Sequence, residues 1–592
     1  MQNSDDAHNT HKLGFLGKVL SCRGSGARVA LTSHLARPRA TVGKFVLLRH
    51  SRGGSIGMIS EVSAPSSDPT SSSLCFPVAN IDLMGEITTT AEGSFQFQRG
   101  VHDYPAIDDD VELLSRNDLN LIYSSFAGHP MKIGQIREDD GIPVYVDADA
   151  LLSKHFAVLG STGVGKSSGT AIILNQLVKA RPDVRVLLLD VHDEYSSCFD
   201  GKSTTIGTET LKLPFWMLNF EEFTDVIYGG HPPVMEELDI LMELIPIAKG
   251  NYSNLKNSSE RSLLTRKPLR QATFSVDTPT PYIIKDLVSL IDDRMGKLEN
   301  RATRMIHHRL MVRIEKVRGD LRYGFMFENA NVGGDTMASV LTQLFAGNSD
   351  NEAITILKLA EFPDEAVDAV VCVILRLAFE LGLWSNGQNP LLIVCEEAHR
   401  FAAADHSIGF APTRRGLSRI AKEGRKYGVH LGLISQRPAE LDPTIISQCS
   451  SLFMMRITNE RDQSLLRSAI SDAASNLFAF LPSLGTGEVV VVGEAVPLPM
   501  RFSFNHLDRQ KLPHNAQFQD SSFDPTESSR AANIEHAVGR WRRATSDVDG
   551  EHQRESAEAQ APSPKSETPP ESALTRGLHA ALAANGTRRI RN

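Results

Sequence analysis

Residues 160–167 constrain the fold of this chain more than any other segment, because their sequence, GSTGVGKS, fits G-x-x-x-x-G-K-[ST] at every fixed position. An apolar run at 155–159 (HFAVL) precedes the octet, and residues 168–180 carry apolar side chains at helical spacing. Strand, Gly-rich turn and helix are the context in which this motif binds nucleotide phosphates. The sequence therefore predicts a phosphate-binding loop in an α/β fold.

Each part of this loop has its own predicted role. The glycines allow the backbone to turn its N–H groups toward the phosphates, and the start of the helix adds partial positive charge. Lys166 is expected to reach the β- and γ-phosphates of ATP, and Ser167 is expected to ligate Mg²⁺. The residues expected to contact ATP are Gly160, Ser161, Thr162, Gly163, Val164, Gly165, Lys166, Ser167 and Ser168.

Composition narrows the possible partners and the compartment. The net charge of −9 excludes a generally basic nucleic-acid coat, so a nucleic-acid site would have to be a local basic patch or channel. The six cysteines include no C-x-x-C pair, which argues against zinc and disulfides and fits a reducing cytoplasm. No signal peptide and no apolar run of membrane-spanning length is found. A cytoplasmic protein without a membrane contact is expected.

The chain, at 592 residues, is long enough for three or four domains at ~150 residues each. Short alternating runs between turns predict a small β-barrel, and a Ser-, Pro- and Glu-rich end predicts disorder. The expected segments are a flexible N-terminus (1–12), the barrel (13–135), an α/β core in two parts (136–220 and 351–514), a helical insertion (221–350) and a disordered tail (515–592).

Two adjacent carboxylates follow an apolar run at 391–399 (LLIVCEEAH). The carboxyl ends of strands in a doubly wound sheet face the ligand crevice. Glu396 is therefore expected to hold Mg²⁺ through a water, and Glu397 is expected to polarise the water that attacks ATP. The alternative is an acidic helix start, where both glutamates only complement the helix dipole.

Two further polar positions are candidates for the same site. Gln436 ends the apolar run of HLGLISQRP and is predicted to sense the γ-phosphate or the attacking water; the alternative is a turn enforced by Pro438. Arg425 lies in a basic cluster at 418–428 and is predicted to stabilise the charge on the γ-phosphate of a neighbouring subunit. The alternative for Arg425 is favourable charge at a helix C-terminus.

A pair of arginines provides a candidate nucleic-acid contact. Arg414 and Arg415 lie in residues 401–416 (FAAADHSIGFAPTRRG), which are predicted to form a mobile loop after the catalytic carboxylates. Such a loop is expected to bind the phosphate backbone of a nucleic acid and to move with the nucleotide state. The alternative is an interface loop in which the arginines pair with carboxylates.

Taken together, these motifs resemble the HerA family of hexameric DNA translocases, close to the FtsK-like pumping ATPases. The matching strings are HFAVLGSTGVGKS, LLLDVHDEY, LPFW, EEAH, EGRKYG and ISQRP, and barrel-like pieces are IDLMGEI and RGVHDYP. The resemblance covers roughly residues 13–510. It implies a RecA-like P-loop NTPase core with a HerA-type N-terminal barrel, and a homohexamer with ATP at subunit interfaces around duplex DNA.

By matching position, the resemblance supports the roles given above for Lys166, Ser167, Glu397 and Gln436. It also implies that Arg425 is the arginine that reaches across the subunit interface to the ATP of the neighbouring subunit. It adds Asp190, the acidic residue that ends the second core strand, to the nucleotide site.

The function that follows is an ATP-dependent DNA translocase or helicase. The resemblance implies that it works with a nuclease or other effector docked on the barrel face, in DNA end processing or antiphage defence. The alternative is a slow ATPase ring that acts mainly as a nucleotide-gated platform for an effector.

Overall fold

The structure is a computed structural model. It describes residues 14–32, 40–50, 53–64, 76–89, 95–124, 128–136, 142–259, 274–328, 330, 332, 334–347, 352–469, 472–513, 534–535 and 538–539. The chain separates into two compact units, Met1–Ser522 and Phe523–Asn592, and the described residues of the second are helical. The predicted flexible N-terminus (1–12) and nearly all of the predicted disordered tail (515–592) lie outside the described residues.

The N-terminal strands form a closed antiparallel barrel, as predicted. Its sheet runs β2-β1-β7-β3-β4-β5, and β5 pairs back with β2 to close it, while β6 pairs with β5 on the outside. Alternate residues fill the interior, among them Leu16, Val29 and Val46. The elements are β1 (Phe15–Arg23), β2 (Gly26–Ala30), β3 (Phe45–His50), β4 (Gly53–Ser63), β5 (Val78–Thr89), β6 (Phe95–Arg99), β7 (Asp110–Leu113) and α1 (Arg116–Ser124).

The second sheet has eleven strands. They are β8 (Pro130–Gln135), β9 (Pro143–Asp147), β10 (His155–Leu159), β11 (Arg185–Asp190), β12 (Ser203–Ile206), β13 (Ile354–Lys358), β14 (Leu391–Cys395), β15 (Val429–Ser435), β16 (Cys449–Met454), β17 (Glu488–Gly493) and β18 (Met500–Phe504). Their order is β12-β13-β11-β14-β15-β10-β16-β17-β18-β8-β9. The first seven in this order are parallel, and the last four join by antiparallel pairings.

This parallel part is the predicted RecA-like core. The strand before the phosphate loop, β10, is separated from the strand before the two glutamates, β14, by β15. All residues of β10, β14 and β15 are buried, which explains why these strands are nearly continuous apolar runs in the sequence. The carboxyl ends of the three strands therefore meet at one edge of the sheet.

Helices pack on the sheet, and several helices also make up the segment between β12 and β13. They are α2 (Ala148–Ser153), α3 (Lys166–Ala180), α4 (Phe220–Tyr228), α5 (Met235–Ser259), α6 (Ile284–Gly296), α7 (Arg301–Arg318), α8 (Gly324–Phe327), α9 (Met337–Phe345), α10 (Asp364–Trp384), α11 (Ala398–Phe401), α12 (Ala411–Glu423), α13 (Pro443–Ile446) and α14 (Glu460–Ala469). Short 3₁₀ turns are Phe215–Met217, Leu321–Tyr323, Leu359–Glu361, Gly424–Tyr427, Pro438–Glu440, Asp472–Ser483 and Arg509–Lys511. Within the described ranges, no helix combines the length and apolar character needed to cross a bilayer.

A buried ion pair fastens the helical segment to the core. Arg376 on α10 donates from Nε and Nη2 to the carboxylate of Glu222 on α4, at 2.9 and 2.8 Å, and Nη2 also donates to the carbonyl of Met217. The Glu222 side chain is completely buried. Since one charge left alone in such a place is strongly destabilising, this contact fixes α4 against α10.

The predicted barrel segment, 13–135, is wrong at its end, because it includes β8, which does not belong to the barrel. β8 pairs with β9 and with β18 in the large sheet, not with a barrel strand. Its inward side chains, Met131 and Ile133, are buried. The alternation of apolar and polar residues is the same in either sheet, so the sequence could not tell which sheet β8 joins.

Candidate nucleotide site

The phosphate loop lies between β10 and α3. Gly163 and Gly165 have φ of 74° and 100°, a region that favours glycine, and both conformations are needed for the turn. No side chain caps the start of α3 at Gly165. The first N–H groups of the helix therefore point into the loop, where the helix N-terminus favours an anion.

The two reactive side chains of the loop have partners within the site. The ammonium of Lys166 donates to the Ser161 carbonyl at 2.9 Å, and the Ser167 hydroxyl donates to the Glu194 carboxylate. Burial lowers the pKa of Lys166, and the nearby carboxylates, above all Glu397, oppose that shift. A phosphate group entering the loop would add negative charge beside this partly buried ammonium and favour its charged form further.

Asp190 ends β11 and organises the turn behind the loop. Its carboxylate is buried and accepts hydrogen bonds from the backbone N–H groups of Glu194 and Tyr195, at 3.1 and 3.0 Å. Burial raises the pKa of Asp190, while these two hydrogen bonds act in the opposite direction. Asp190 thus holds Glu194 in place beside Ser167.

Glu396 lies deeper in the protein than a residue facing the nucleotide. Its Oε2 accepts from the backbone N–H of Val191 at 2.8 Å and of His192 at 3.3 Å, and the residue is 4% exposed. Burial, followed by repulsion from Asp190 and Glu194, raises the pKa of Glu396 well above its usual value. The carboxylate that contacts Ser167 is that of Glu194, which the sequence analysis did not single out, although it lies in the quoted string LLLDVHDEY.

Glu397 follows β14 in a conformation that non-glycine residues seldom adopt, with φ 45° and ψ 47°. Its Oε1 lies 3.9 Å from His192 Nε2, and its Oε2 lies 3.2 Å from His399 Nδ1. Oε2 is buried and accepts no hydrogen bond from the described residues. The lone pairs of this carboxylate oxygen are not used by the described residues, so a water molecule brought to it could transfer a proton there. Backbone strain of this type is characteristic of functional sites.

Gln436 is brought to the phosphate loop by β15. The hydroxyl of Thr162 donates a hydrogen bond to Gln436 Oε1. Ser435, the last residue of β15, accepts a hydrogen bond through its carbonyl from Gly160 N at 3.3 Å. Two hydrogen bonds thus connect the end of β15 to the phosphate loop.

Arg425 is not part of this cluster within one chain. It lies in the 3₁₀ turn Gly424–Tyr427 with an exposed side chain, and no described carboxylate lies within ion-pair distance of it. The positive charge of Arg425 contributes to the lowered pKa values of His430 and Glu494. In both cases the larger contributions come from other groups or from burial.

The predicted mobile loop containing Arg414 and Arg415 is wrong in this part of its length. Both residues lie on α12, which begins at Ala411 with a proline in its first turn. Proline is favoured there because its missing N–H would have no helical partner. Arg415 Nη2 contacts Glu221 Oε1 and Oε2 at 2.6 and 2.7 Å, and Arg414 reaches the His406 carbonyl at 3.4 Å. Arg415 therefore matches the alternative interpretation, a pairing with a carboxylate.

The residues present fit a magnesium ion that is shared with a nucleotide. No group of three or more metal-ligating side chains occurs in the part of the chain that the structure describes. Mg²⁺ at nucleotide sites is typically held by one or two protein oxygens together with substrate phosphates and water. The Ser167 hydroxyl and the Glu194 carboxylate, already in contact at the loop, supply such oxygens.

Comparisons with known proteins identify similar sequences and folds. Residues 131–378 match the family model described as "Helicase HerA, central domain". A probable helicase of Methanocaldococcus jannaschii is 28% identical over 422 residues, or 67% of this chain and 74% of the relative. The DNA double-strand break repair helicase HerA of Pyrococcus furiosus is 25% identical over 456 residues, or 71% of this chain and 76% of the relative.

Among solved structures, VirB4 of Thermoanaerobacter pseudethanolicus is 15% identical, with a TM-score of 0.44, and the match covers 65% of this chain and 99% of that structure. The plasmid coupling protein TrwB in complex with ADP and Mg²⁺ is 14% identical, with a TM-score of 0.39, and the match covers 65% and 96% of the two chains.

Proposed function

This chain belongs to the HerA helicase family and is an ATP-hydrolysing enzyme, and from this premise we propose that it forms a homohexameric ring that pumps duplex DNA. Hydrolysis at each subunit interface would drive the movement. We further propose that a nuclease or other effector docks on the barrel face, and that the complex acts in the cytoplasm in DNA end processing or antiphage defence.

One observation supports the proposal most. Lys166, Ser167, Glu397 and Gln436 come from three separated sequence segments, and in the fold they lie at neighbouring strand ends of one parallel sheet. This is the edge at which nucleotides bind in open α/β sheets. A sheet with only a structural role gives no reason for this arrangement.

The chemistry we propose uses these residues in distinct ways. The backbone of the loop and Lys166 hold the phosphates, and Glu397 takes the proton of the attacking water. Gln436, which contacts Thr162 on the loop, senses whether the γ-phosphate is present. Mg²⁺, held through Ser167 with Glu194 or Glu396, would neutralise charge on the β- and γ-phosphate oxygens.

The exposed position of Arg425 supports the ring. Arg425 is exposed, and among the described residues of its own chain no carboxylate lies within ion-pair distance of it, so its guanidinium is available to the γ-phosphate of a neighbouring subunit. In this proposal the catalytic site is incomplete in a monomer and complete only at the interface.

DNA-dependent turnover tests the motor function. Linear duplex DNA should raise the ATPase rate of the purified hexamer several-fold, and ATP should drive displacement of a third strand annealed to that duplex. A ring that assembles with an effector but shows neither DNA stimulation nor strand displacement would be a nucleotide-gated platform, and the translocase proposal would be wrong.

The arginine pair on α12 remains our proposed DNA contact. The double substitution Arg414→Ala/Arg415→Ala should weaken duplex binding and lower the slope of log K against log salt by about one unit for each phosphate that an arginine no longer neutralises. Titrations at several salt concentrations measure the slope, and ATPase activity without DNA should stay near that of the wild type.

Glu221→Ala is the matched control, since it breaks the ion pair of Arg415 but keeps the cation. Its DNA affinity should equal or exceed that of the wild type. If the double variant keeps both the affinity and the salt slope of the wild type, the DNA does not contact this pair, and the basic helix α7 becomes the next candidate.

A further inference from the structure

We propose that His399 is a positioning residue for Glu397, holding the carboxylate with one ring N–H and connecting it to Ser435 at the end of the neighbouring strand. The inference rests on the proposed role of Glu397 in activating water. It adds a residue that participates in hydrolysis through Glu397 without touching the nucleotide.

The geometry at the ring carries the proposal. His399 Nδ1 lies 3.2 Å from Ser435 Oγ and 3.2 Å from Glu397 Oε2. Its side chain is largely buried, with 17% exposed, as is that of Glu397, with 13%. One ring nitrogen thus lies between the last side chain of β15 and the second of the two carboxylates that follow β14.

The chemistry of the two partners fixes the proton. An ionised carboxylate can only accept hydrogen bonds, so a favourable contact with Glu397 requires that Nδ1 carries the hydrogen. Burial lowers the pKa of His399, although the charge of Glu397 opposes this effect. A neutral ring has a single N–H, and here that N–H faces two oxygen atoms.

The two contacts differ in quality. The Nδ1 contact with Ser435 meets hydrogen-bond geometry, whereas Glu397 Oε2 is close to the ring but accepts no hydrogen bond among the described residues. A small rotation of the ring would direct the N–H from the hydroxyl to the carboxylate. The same N–H can therefore bind either the Ser435 hydroxyl, as it does in this structure, or the Glu397 carboxylate.

Ser435 connects the imidazole ring of His399 to the phosphate loop. The Ser435 hydroxyl also accepts from Arg437 N at 3.0 Å, and its carbonyl accepts from Gly160 N at 3.3 Å. Gln436, the next residue, contacts Thr162. A shift of these residues on γ-phosphate binding would reach Glu397 through the ring of His399.

The backbone at Glu397 explains why such support is needed. A glutamate with φ 45° is in a sparsely populated region, so contacts from the surrounding structure have to hold it there. A side chain that must place an oxygen beside a water molecule needs a neighbour that limits its rotation.

The test compares two substitutions at one position. His399→Ala should lower kcat for ATP hydrolysis by about 10- to 100-fold, because a misplaced base loses reactive geometry. The KM and Kd for ATP should stay within about twofold of the wild type, since the described polar contacts of the His399 ring are with Ser435 and Glu397 and not with the phosphate loop. His399→Asn, whose amide nitrogen occupies about the place of Nδ1, should recover most of the lost rate.

A double substitution separates positioning from a general structural role. In the Glu397→Gln background, measured by single turnover, adding His399→Ala should cause less than about a twofold further loss, because both changes act on the same step. Losses that multiply would overturn the inference, as would equal defects in His399→Ala and His399→Asn. ATP binding by each variant verifies that it is folded.

The outcomes also separate this inference from the proposed function. If Glu397→Gln is inactive while His399→Ala turns over at the wild-type rate, only the role of His399 is wrong. If Glu397→Gln itself retains the wild-type rate, the assignment of Glu397 fails first, and the positioning role fails with it.

Discussion

Replacing Arg425 by alanine is expected to lower kcat for ATP hydrolysis by about 10³-fold, the lower end of the range for a cation that stabilises the charge on a transferring γ-phosphoryl group. ATP binding should change much less, because Arg425 contacts no residue of the phosphate loop in its own chain. Steady-state rates and nucleotide titrations of the purified protein measure the two effects separately. Lys426→Ala, a neighbouring exposed cation, is the matched control and should keep nearly the full rate.

Mixed rings test whether Arg425 acts on the neighbouring subunit. Lys166→Ala subunits lack an intact phosphate loop, and Arg425→Ala subunits lack the cation, so each homogeneous ring should be inactive. Rings that contain both should recover part of the activity, because some interfaces pair an intact loop with an intact arginine. Native mass spectrometry verifies the mixing, and no recovery in verified mixed rings would show that Arg425 does not act across the interface.

Replacing Glu397 by glutamine should reduce ATP hydrolysis by about 10²–10⁴-fold, the usual contribution of a general base. ATP should remain bound, since glutamine keeps the shape of the side chain and the loop is intact. Lys166→Ala provides the contrast: it removes the buried ammonium at the loop, so nucleotide binding itself should weaken. A Glu397→Gln ring that hydrolyses ATP at the wild-type rate would show that another group activates the water.

The core strands could be predicted from the sequence, and the reason is physical. A strand buried on both faces is mostly apolar, so β10, β14 and β15 are visible as nearly continuous apolar runs. The phosphate loop is equally visible, because its glycines, lysine and serine are contiguous in the chain. Residues that are neighbours in the chain are also close in space in any fold, so a contiguous motif can be recognised without knowing the strand order.

Contacts between distant segments could not be predicted in the same way. Glu194 meets Ser167, and His399 meets Ser435, only because the sheet order brings separate strand ends together. Spacing within one segment carries no information about that order. The error at Arg415 has a local cause: glycines and small residues favoured a loop, while Pro412 in the first turn of α12 was the overlooked signal.

The membership of β8 in the large sheet determines where the protein can be divided. β8 pairs with β18, and the Phe504 ring at the end of β18 packs within 2.7 Å of the position where a Cβ on Gly169 in α3 would lie. Cutting the chain at residue 136 would expose the hydrogen-bonding edge of β18 and loosen the support beneath the phosphate-loop helix. A shortened motor, or one carrying the barrel of a relative, must therefore retain the chain from before Pro130, so the interchangeable module is smaller than the apparent domain.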